Sequence, residues 1–179
     1  MQMEVVMEKY VPDIYQKSIY TINYDALYNR GIRCLLMDLD NTIAPITIKE
    51  PSKKIKDLFQ RLKDKGFKII IFSNSRKSRV KTFKEVLDVE FCYSARKPNK
   101  KKYYKIFSEH NLDLDSVACI GDQLLTDIKG GNKIGITTIL VNPIGNKEYL
   151  ITKINRFFEN KIYKKLREKD LFKKGKYYE

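Results

Sequence analysis

The 179 residues carry 36 Lys and Arg against 22 Asp and Glu, a formal charge of +14. That is room for one substantial core, with an attraction to anionic partners: nucleic acid, an anionic membrane surface or a phosphorylated substrate. No apolar run approaches the length of about 18 residues that marks a membrane span, and Met1-Gln2-Met3-Glu4 lacks a signal-peptide pattern. Cys34, Cys92 and Cys119 form no CxxC pair and His110 is the single histidine, which excludes a zinc site and favours reduced core thiols in a soluble, cytoplasmic protein.

Residues 1–30 read as an N-terminal arm of scattered tyrosines, with a short extended piece at 18–22 and a short helix at 25–30 closed by Gly31. From Gly31 the pattern becomes regular. Cys34-Leu35-Leu36-Met37 is an apolar run without polar alternation, which predicts a strand buried on both faces and ending at Asp38. Pro51-Ser52 opens a helix whose Ile55, Leu58, Phe59 and Leu62 follow helical spacing up to Gly66. Residues 68–72 form a second buried strand ending in Ser73-Asn74-Ser75, followed by a basic helix with Val80, Phe83, Val86 and Leu87 inward. A short strand at 90–93 leads to Arg96-Lys97-Pro98 and a helix near 99–110 that buries Tyr103, Ile106 and Phe107. Residues 117–120 form strand four, ending in Gly121-Asp122, and a helix from Leu124 closes around Gly130-Gly131. Residues 137–141 form strand five, stopped by Asn142-Pro143. Past Lys147 one long helical pattern places Leu150, Ile151, Ile154, Phe157, Phe158, Ile162 and Leu166 on one side, with Lys153, Arg156 and other cations on the rest. Such a helix either covers the sheet with its apolar stripe, the favoured expectation, or lies on a membrane. Strands alternating with helices predict right-handed βαβ units in a three-layer α/β/α fold with a mainly parallel, five-stranded sheet.

Polar groups gather at the strand ends: Asp38 and Asp40, Ser73, Lys97, and Asp122 with Asp127. Two carboxylates at the end of a buried strand contribute nothing to a core and are costly unless hydrated, paired or metal-bound. The crevice outside the carboxyl ends of parallel strands is where open α/β sheets bind ligands. A carboxylate can act as a nucleophile through an acyl-phosphate, and carboxylates are the hard oxygen ligands that Mg²⁺ prefers. A lysine and a serine beside them can hold the oxygens of a phosphoryl group. Gly130 to Gly135 is no P-loop, because Ile136-Thr137 follows where a lysine is required. His110 has no place in such chemistry.

At these residues the sequence resembles the haloacid dehalogenase (HAD) superfamily of phosphohydrolases. Asp38-Leu39-Asp40-Asn41-Thr42 is similar to its first motif, Ser73 to its second and Lys97-Pro98 to its third. Gly121-Asp122-Gln123-Leu124-Leu125-Thr126-Asp127 is similar to its fourth. The resemblance implies Asp38 as nucleophile and Asp40 as the acid and then the base, with Thr42 positioning the turn. It implies Ser73, Asn74 and Lys97 as substrate-binding groups, with Ser73 and Lys97 also assisting catalysis. It implies Mg²⁺ held by Asp38 and Asp122 through side chains and by Asp40 through its carbonyl, with Asp127 orienting these groups behind. The second acid, Asp40, argues against dehalogenase chemistry. Residues 43–72 and 74–96 leave no room for a cap domain, so residues 31–146 are expected to be an uncapped catalytic core and 147–179 a basic amphipathic helix and tail.

Within the superfamily the chain is similar to the capless IIIA branch, and specifically to the YqeG-type family. Pro12-Asp13, Arg30-Gly31-Ile32, the stretch from Gly121 to Asp127 and Ile154-Asn155-Arg156 carry that resemblance. It implies a phosphatase similar to phosphatidylglycerophosphatase, acting on a lipid phosphate and peripheral at an anionic membrane surface, where each Lys or Arg adds about 1 kcal/mol of attraction. The same chemistry on a soluble nucleotide or sugar phosphate is the alternative. A non-catalytic RNA- or ribosome-associated role is less favoured, since nucleic-acid binding does not require all of Asp38, Asp40, Ser73, Lys97 and Asp122.

Overall fold

The computed structural model describes residues 7–179, so Met1-Gln2-Met3-Glu4 lies outside the described residues. One parallel sheet of six strands has the order β1-β6-β5-β2-β3-β4. The strands are β1 (Ile14–Gln16), β2 (Cys34–Met37), β3 (Lys68–Phe72), β4 (Glu90–Cys92), β5 (Val117–Gly121) and β6 (Thr137–Val141). Between them run helices α1 (Tyr24–Asn29), α2 (Lys53–Asp64), α3 (Lys77–Leu87), α4 (Lys100–His110) and α5 (Lys129–Ile134), and α6 (Leu150–Glu168) follows the last strand.

The central strands are apolar on both faces because helices cover both. Leu35 and Met37 of β2, with Ile69 and Ile71 of β3, join the core under α2 and α3. The alternate residues Cys34, Leu36, Ile70 and Phe72 join the core under α4. This is the packing that runs without polar alternation predict. A third cluster joins Tyr15 of β1 and Leu140 of β6 to Leu166 of α6 and Phe172 of the tail. The connections after β2 and after β3 each hold a single helix, and no cap domain interrupts them.

Several expectations are corrected. The sheet has six strands rather than five, because the arm adds β1 to its edge beside β6. Residues 18–22 are not extended. The Thr21 hydroxyl accepts from the Ser18 N–H at 3.2 Å and donates to the Ser18 carbonyl at 3.0 Å, and this local bonding outcompetes a strand. The helix after Asp122 begins as a π-turn at Leu124–Ile128 and continues through Gly130-Gly131 to end at Gly135, whose φ is +86°. Gly130 and Gly131 are packing residues, since a Cβ would sit 2.5 Å from the Tyr103 hydroxyl and 2.5 Å from Thr138 Cγ2 respectively. Val86 of α3 is exposed rather than inward.

Candidate active site

The sheet order reverses at β2, with β3 and β4 on one side and β5, β6 and β1 on the other. Asp38 follows β2 and Asp122 follows β5, its neighbour, so the two acids flank the crevice where α/β sheets bind ligands. The Asp38 N–H still donates to Ile120 O at 2.9 Å, which carries the ladder into the site. Beyond it the chain turns sharply: Asn41 adopts φ +63°, and the Ile43 and Ala44 N–H groups both donate to Leu39 O. An asparagine tolerates this left-handed conformation better than most residues.

Lys97 is the hub. Its ammonium donates to Asp38 Oδ1 and to Asp127 Oδ1, each at 2.6 Å, and all three side chains are buried. Burial works against the lysine's charge, but Asp127 and Asp38 outweigh it and hold the pKa above its ordinary value. Its backbone N–H donates to Asn74 Oδ1 at 2.8 Å, so Asn74 fixes the loop that carries Lys97. Asp127 is fixed in turn by the Gln123 N–H at 3.1 Å and the Thr126 hydroxyl at 3.3 Å. Gly121 makes room for it, since a Cβ there would lie 2.1 Å from Asp127 Cγ. Ser73 is buried at the end of β3, and its Oγ accepts from the Ser75 N–H at 3.2 Å.

Asp122 bonds outward on both oxygens. Oδ1 accepts from the Thr42 hydroxyl at 2.9 Å, and Oδ2 is paired with Arg156 of α6. The same guanidinium donates to the Asp122 carbonyl at 2.7 Å and to Glu148 and Glu159 at 2.8 Å each. Glu159, fully buried, also accepts from the Leu125 N–H at 2.9 Å. Asp40 is held on both oxygens as well, by the Ser75 hydroxyl and by Arg79 of α3, whose Nε lies 3.0 Å from Oδ1. Arg79 further donates to the carbonyls of Pro45 and Ile48, which ties α3 to the turn after Asp40.

Carboxylate oxygens of Asp38, Asp122 and Asp127 come within 4.8 Å of one another, all buried. Burial raises Asp38 to about 8, with Lys97 opposing and Asp127 and Asp122 adding to the rise. Burial likewise raises Asp122 to about 7, against the pull of Arg156. Crowded buried carboxylates that resist ionising are a donor set suited to a divalent cation of hard character. Asp38, Asp40, Ser73, Asn74 and Lys97 all line one cleft of about 600 Å³, which Gln123, Thr126 and the α6 residues Ile151, Thr152 and Asn155 also line. Thr42, Asp122 and Asp127 stand behind it. Thus every candidate site residue gathers at this one edge of the sheet.

Arg79, Ser75, Arg156 and Glu159 were not among the candidates. Arg156 was expected on a solvated face, but it spans the gap between α6 and β5 instead. Nothing in the spacing separates Arg79 from the other cations of a strongly basic chain, and the stretch Ile154-Asn155-Arg156, which carries part of the family resemblance, gives no sign that Arg156 meets Asp122.

A curated protein of Bacillus subtilis (strain 168), "Probable phosphatase YqeG", is 36% identical over 160 residues, covering 89% of this chain and 93% of its own. The chain belongs to the YqeG-type family of HAD phosphatases. The HAD-hydrolase-like family model independently matches residues 94–147, from the Lys97 loop through Asp122 and Asp127 to the end of β6 and the loop beyond. Solved structures agree in fold. A protein from Porphyromonas gingivalis described as "a predicted HAD-like family hydrolase" superposes with a TM-score of 0.52 at 12% identity, over 72% of this chain and 98% of its own. An uncharacterised protein from Listeria monocytogenes serotype 4b gives 0.52 at 16% identity, over 66% and 85%. At these identities the likeness is one of fold. This YqeG-type chain is therefore a phosphatase with an uncapped α/β core.

Proposed function

We propose that this phosphatase hydrolyses a phosphomonoester through an aspartyl-phosphate on Asp38, with Mg²⁺ as its metal. The observation that carries the reading is Lys97 bridging Asp38 and Asp127 beside the Asp38–Asp122–Asp127 cluster. Lys97 engages Asp38 through Oδ1 alone, and Asp38 lines the cleft, so a carboxylate oxygen can meet an incoming phosphorus. Asp38 and Asp122 would hold Mg²⁺ by their side chains and Asp40 by its carbonyl. When bound, the ion would supply charge that lets an anionic nucleophile approach an anionic phosphoryl group. Lys97, Ser73 and Asn74 would bind the remaining phosphoryl oxygens. Asp40, oriented by Ser75 and Arg79, would give its proton to the leaving oxygen and then take one from the water that cleaves the acyl-phosphate.

The substrate we infer is the terminal phosphate of an anionic lipid, with phosphatidylglycerophosphate as the candidate that the family resemblance offers. An open cleft suits a large substrate, and the exposed apolar residues Tyr149 and Ile151 at its mouth suit one with a hydrocarbon part. The test is release of inorganic phosphate from phosphatidylglycerophosphate in mixed micelles, beside a panel of nucleotide and sugar phosphates. Wild type should prefer the lipid and lose activity in EDTA. Asp38→Asn should lose about a thousandfold or more of kcat, because removing a nucleophile removes the covalent route. Preference for a soluble phosphate with the same dependence would keep the mechanism and remove the lipid.

A further inference from the structure

Helix α6 is turned inside out over its first half. The residues it directs into the protein there are polar: Asn155 meets the Gln123 side chain at 3.3 Å, and Arg156 and Glu159 bind Asp122 and the Leu125 N–H. Its large apolar residues face solvent instead, with Leu150 77% exposed and Phe157 58% exposed, and Ile151, Ile154 and Phe158 beside them. Over the second half the orientation is the ordinary one, with Ile162, Tyr163 and Leu166 packed on β1, β6 and the tail. An amphipathic helix that docks through its polar seam leaves an apolar face without a partner among the described residues, and such contiguous faces mark interaction sites.

We propose that this face, from Tyr149 to Phe158, docks on an anionic bilayer, with α6 lying in the plane of the interface. Charge selects the occupant. Exposed Lys147, Lys153 and Lys161 flank the apolar residues, and Lys161 Nζ stands 4.5 Å from the Phe157 ring centroid. Apolar side chains rimmed by lysines on one helix are the pattern of an interfacial helix, drawn to acidic headgroups and held by shallow insertion. A second copy of the chain is disfavoured, since each carries +14 and the same lysines would face one another. Nucleic acid would use the cations but leave the aliphatic Leu150, Ile151 and Ile154 in water.

Position adds a consequence. Tyr149 and Ile151 belong both to this face and to the lining of the cleft that holds Asp38, so a docked helix brings that cleft to headgroup level. For the substrate, though not for the docking, the inference rests on the lipid-phosphate reading above. No helix among the described residues is long and apolar enough to cross a membrane.

The experiment is co-sedimentation of the full chain with vesicles of phosphatidylglycerol and phosphatidylcholine, and with vesicles of phosphatidylcholine alone. The chain has no tryptophan, so Phe157→Trp provides a clean fluorescent probe of insertion. Binding should require the anionic lipid and blue-shift the Trp emission. In the triple variant Ile154→Gln, Phe157→Gln, Phe158→Gln partitioning should fall about a hundredfold. That variant, shown folded by circular dichroism, should hydrolyse p-nitrophenyl phosphate as wild type does. Asp38→Asn should bind vesicles normally. Equal vesicle binding by wild type and triple variant would overturn the proposal. So would a wild-type dimer in sedimentation velocity that the triple variant dissolves, or salt-sensitive RNA binding without vesicle binding. Vesicle binding with no phosphate released from lipid would support the docking and sink the lipid substrate. Lipid hydrolysis in micelles without vesicle binding would sink the docking alone.

Discussion

Single residues in this site are held by charge partners from distant parts of the chain. Arg156 stands at the junction of Asp122, Glu148 and Glu159, and two of those three acids are almost wholly buried. Removing one member of a buried ionic group strands the others in low dielectric, which costs more than the pair contributes over an apolar substitute. Arg156→Met should therefore destabilise the fold by about 3 kcal/mol in urea unfolding, because Asp122 and Glu159 lose their cation. Retention of wild-type stability would mean that water reaches both acids. Asn41 shows the same tightness on a smaller scale: its amide donates to Lys147 O at 3.0 Å, while its buried Oδ1 has no hydrogen-bond partner among the described residues.

At the level of the element, α6 contains two helices' worth of behaviour in one. Leu166 is completely buried against β1, β6 and the tail, whereas Phe158 is half exposed on the solvent-facing apolar side. Leu166→Ala should cost about 2–5 kcal/mol, the usual range for a truncated core leucine. Phe158→Ala should stay within about 0.5 kcal/mol, as surface changes do. Chemical denaturation of the two variants distinguishes this arrangement from a helix packed by its whole apolar stripe, in which both substitutions would be costly. The π-turn at Leu124–Ile128 has its own use. It begins directly after Asp122 and Gln123 and brings Asp127 back so that its carboxylate meets the Gln123 N–H.

For the whole molecule, the sheet closes its first edge with the ends of the described chain. Tyr178 pairs antiparallel with Tyr15, each N–H to the other's carbonyl at 3.0 Å, and Phe172 packs its ring 5.1 Å from that of Tyr15. The interior also governs the thiols. Burial raises both Cys34 and Cys119 from 9.0 to about 12, so the folded chain holds these protons more tightly than the unfolded one. The contribution to stability is complete below pH 9 and is lost as pH rises towards 12. At pH 8 a thiol reagent should label half-buried Cys92 first and reach Cys34 and Cys119 only on unfolding. Equal labelling of all three in the native protein would contradict the burial of β2 and β5. Stability measured from pH 8 to 11 should fall over the upper part of that range.

The layered parallel fold was legible in the sequence because uninterrupted apolar runs, helical spacing and strand-ending polar groups are local patterns. Asp38, Asp40, Ser73, Lys97 and Asp122 could be picked out for the same reason: each stands where a buried strand or its following loop meets a polar turn. The order of those motifs was enough to suggest the family, which the 36% identity then established. What only the tertiary structure decided depends on pairs far apart in the chain. Arg79 reaches Asp40 across 39 positions and Arg156 reaches Asp122 across 34; among 36 cations no local feature marks Arg79, and the stretch Ile154-Asn155-Arg156 points to the family without showing which acid Arg156 meets. The edge strand Ile14–Gln16 was equally hidden, since three residues have too little periodicity to read until β6 lies beside them. The facing of α6 is the clearest case. Periodicity revealed that one side is apolar, but which side turns inward was settled by buried acids at the site, whose demand for Arg156 outweighed the burial of Phe157 and Phe158.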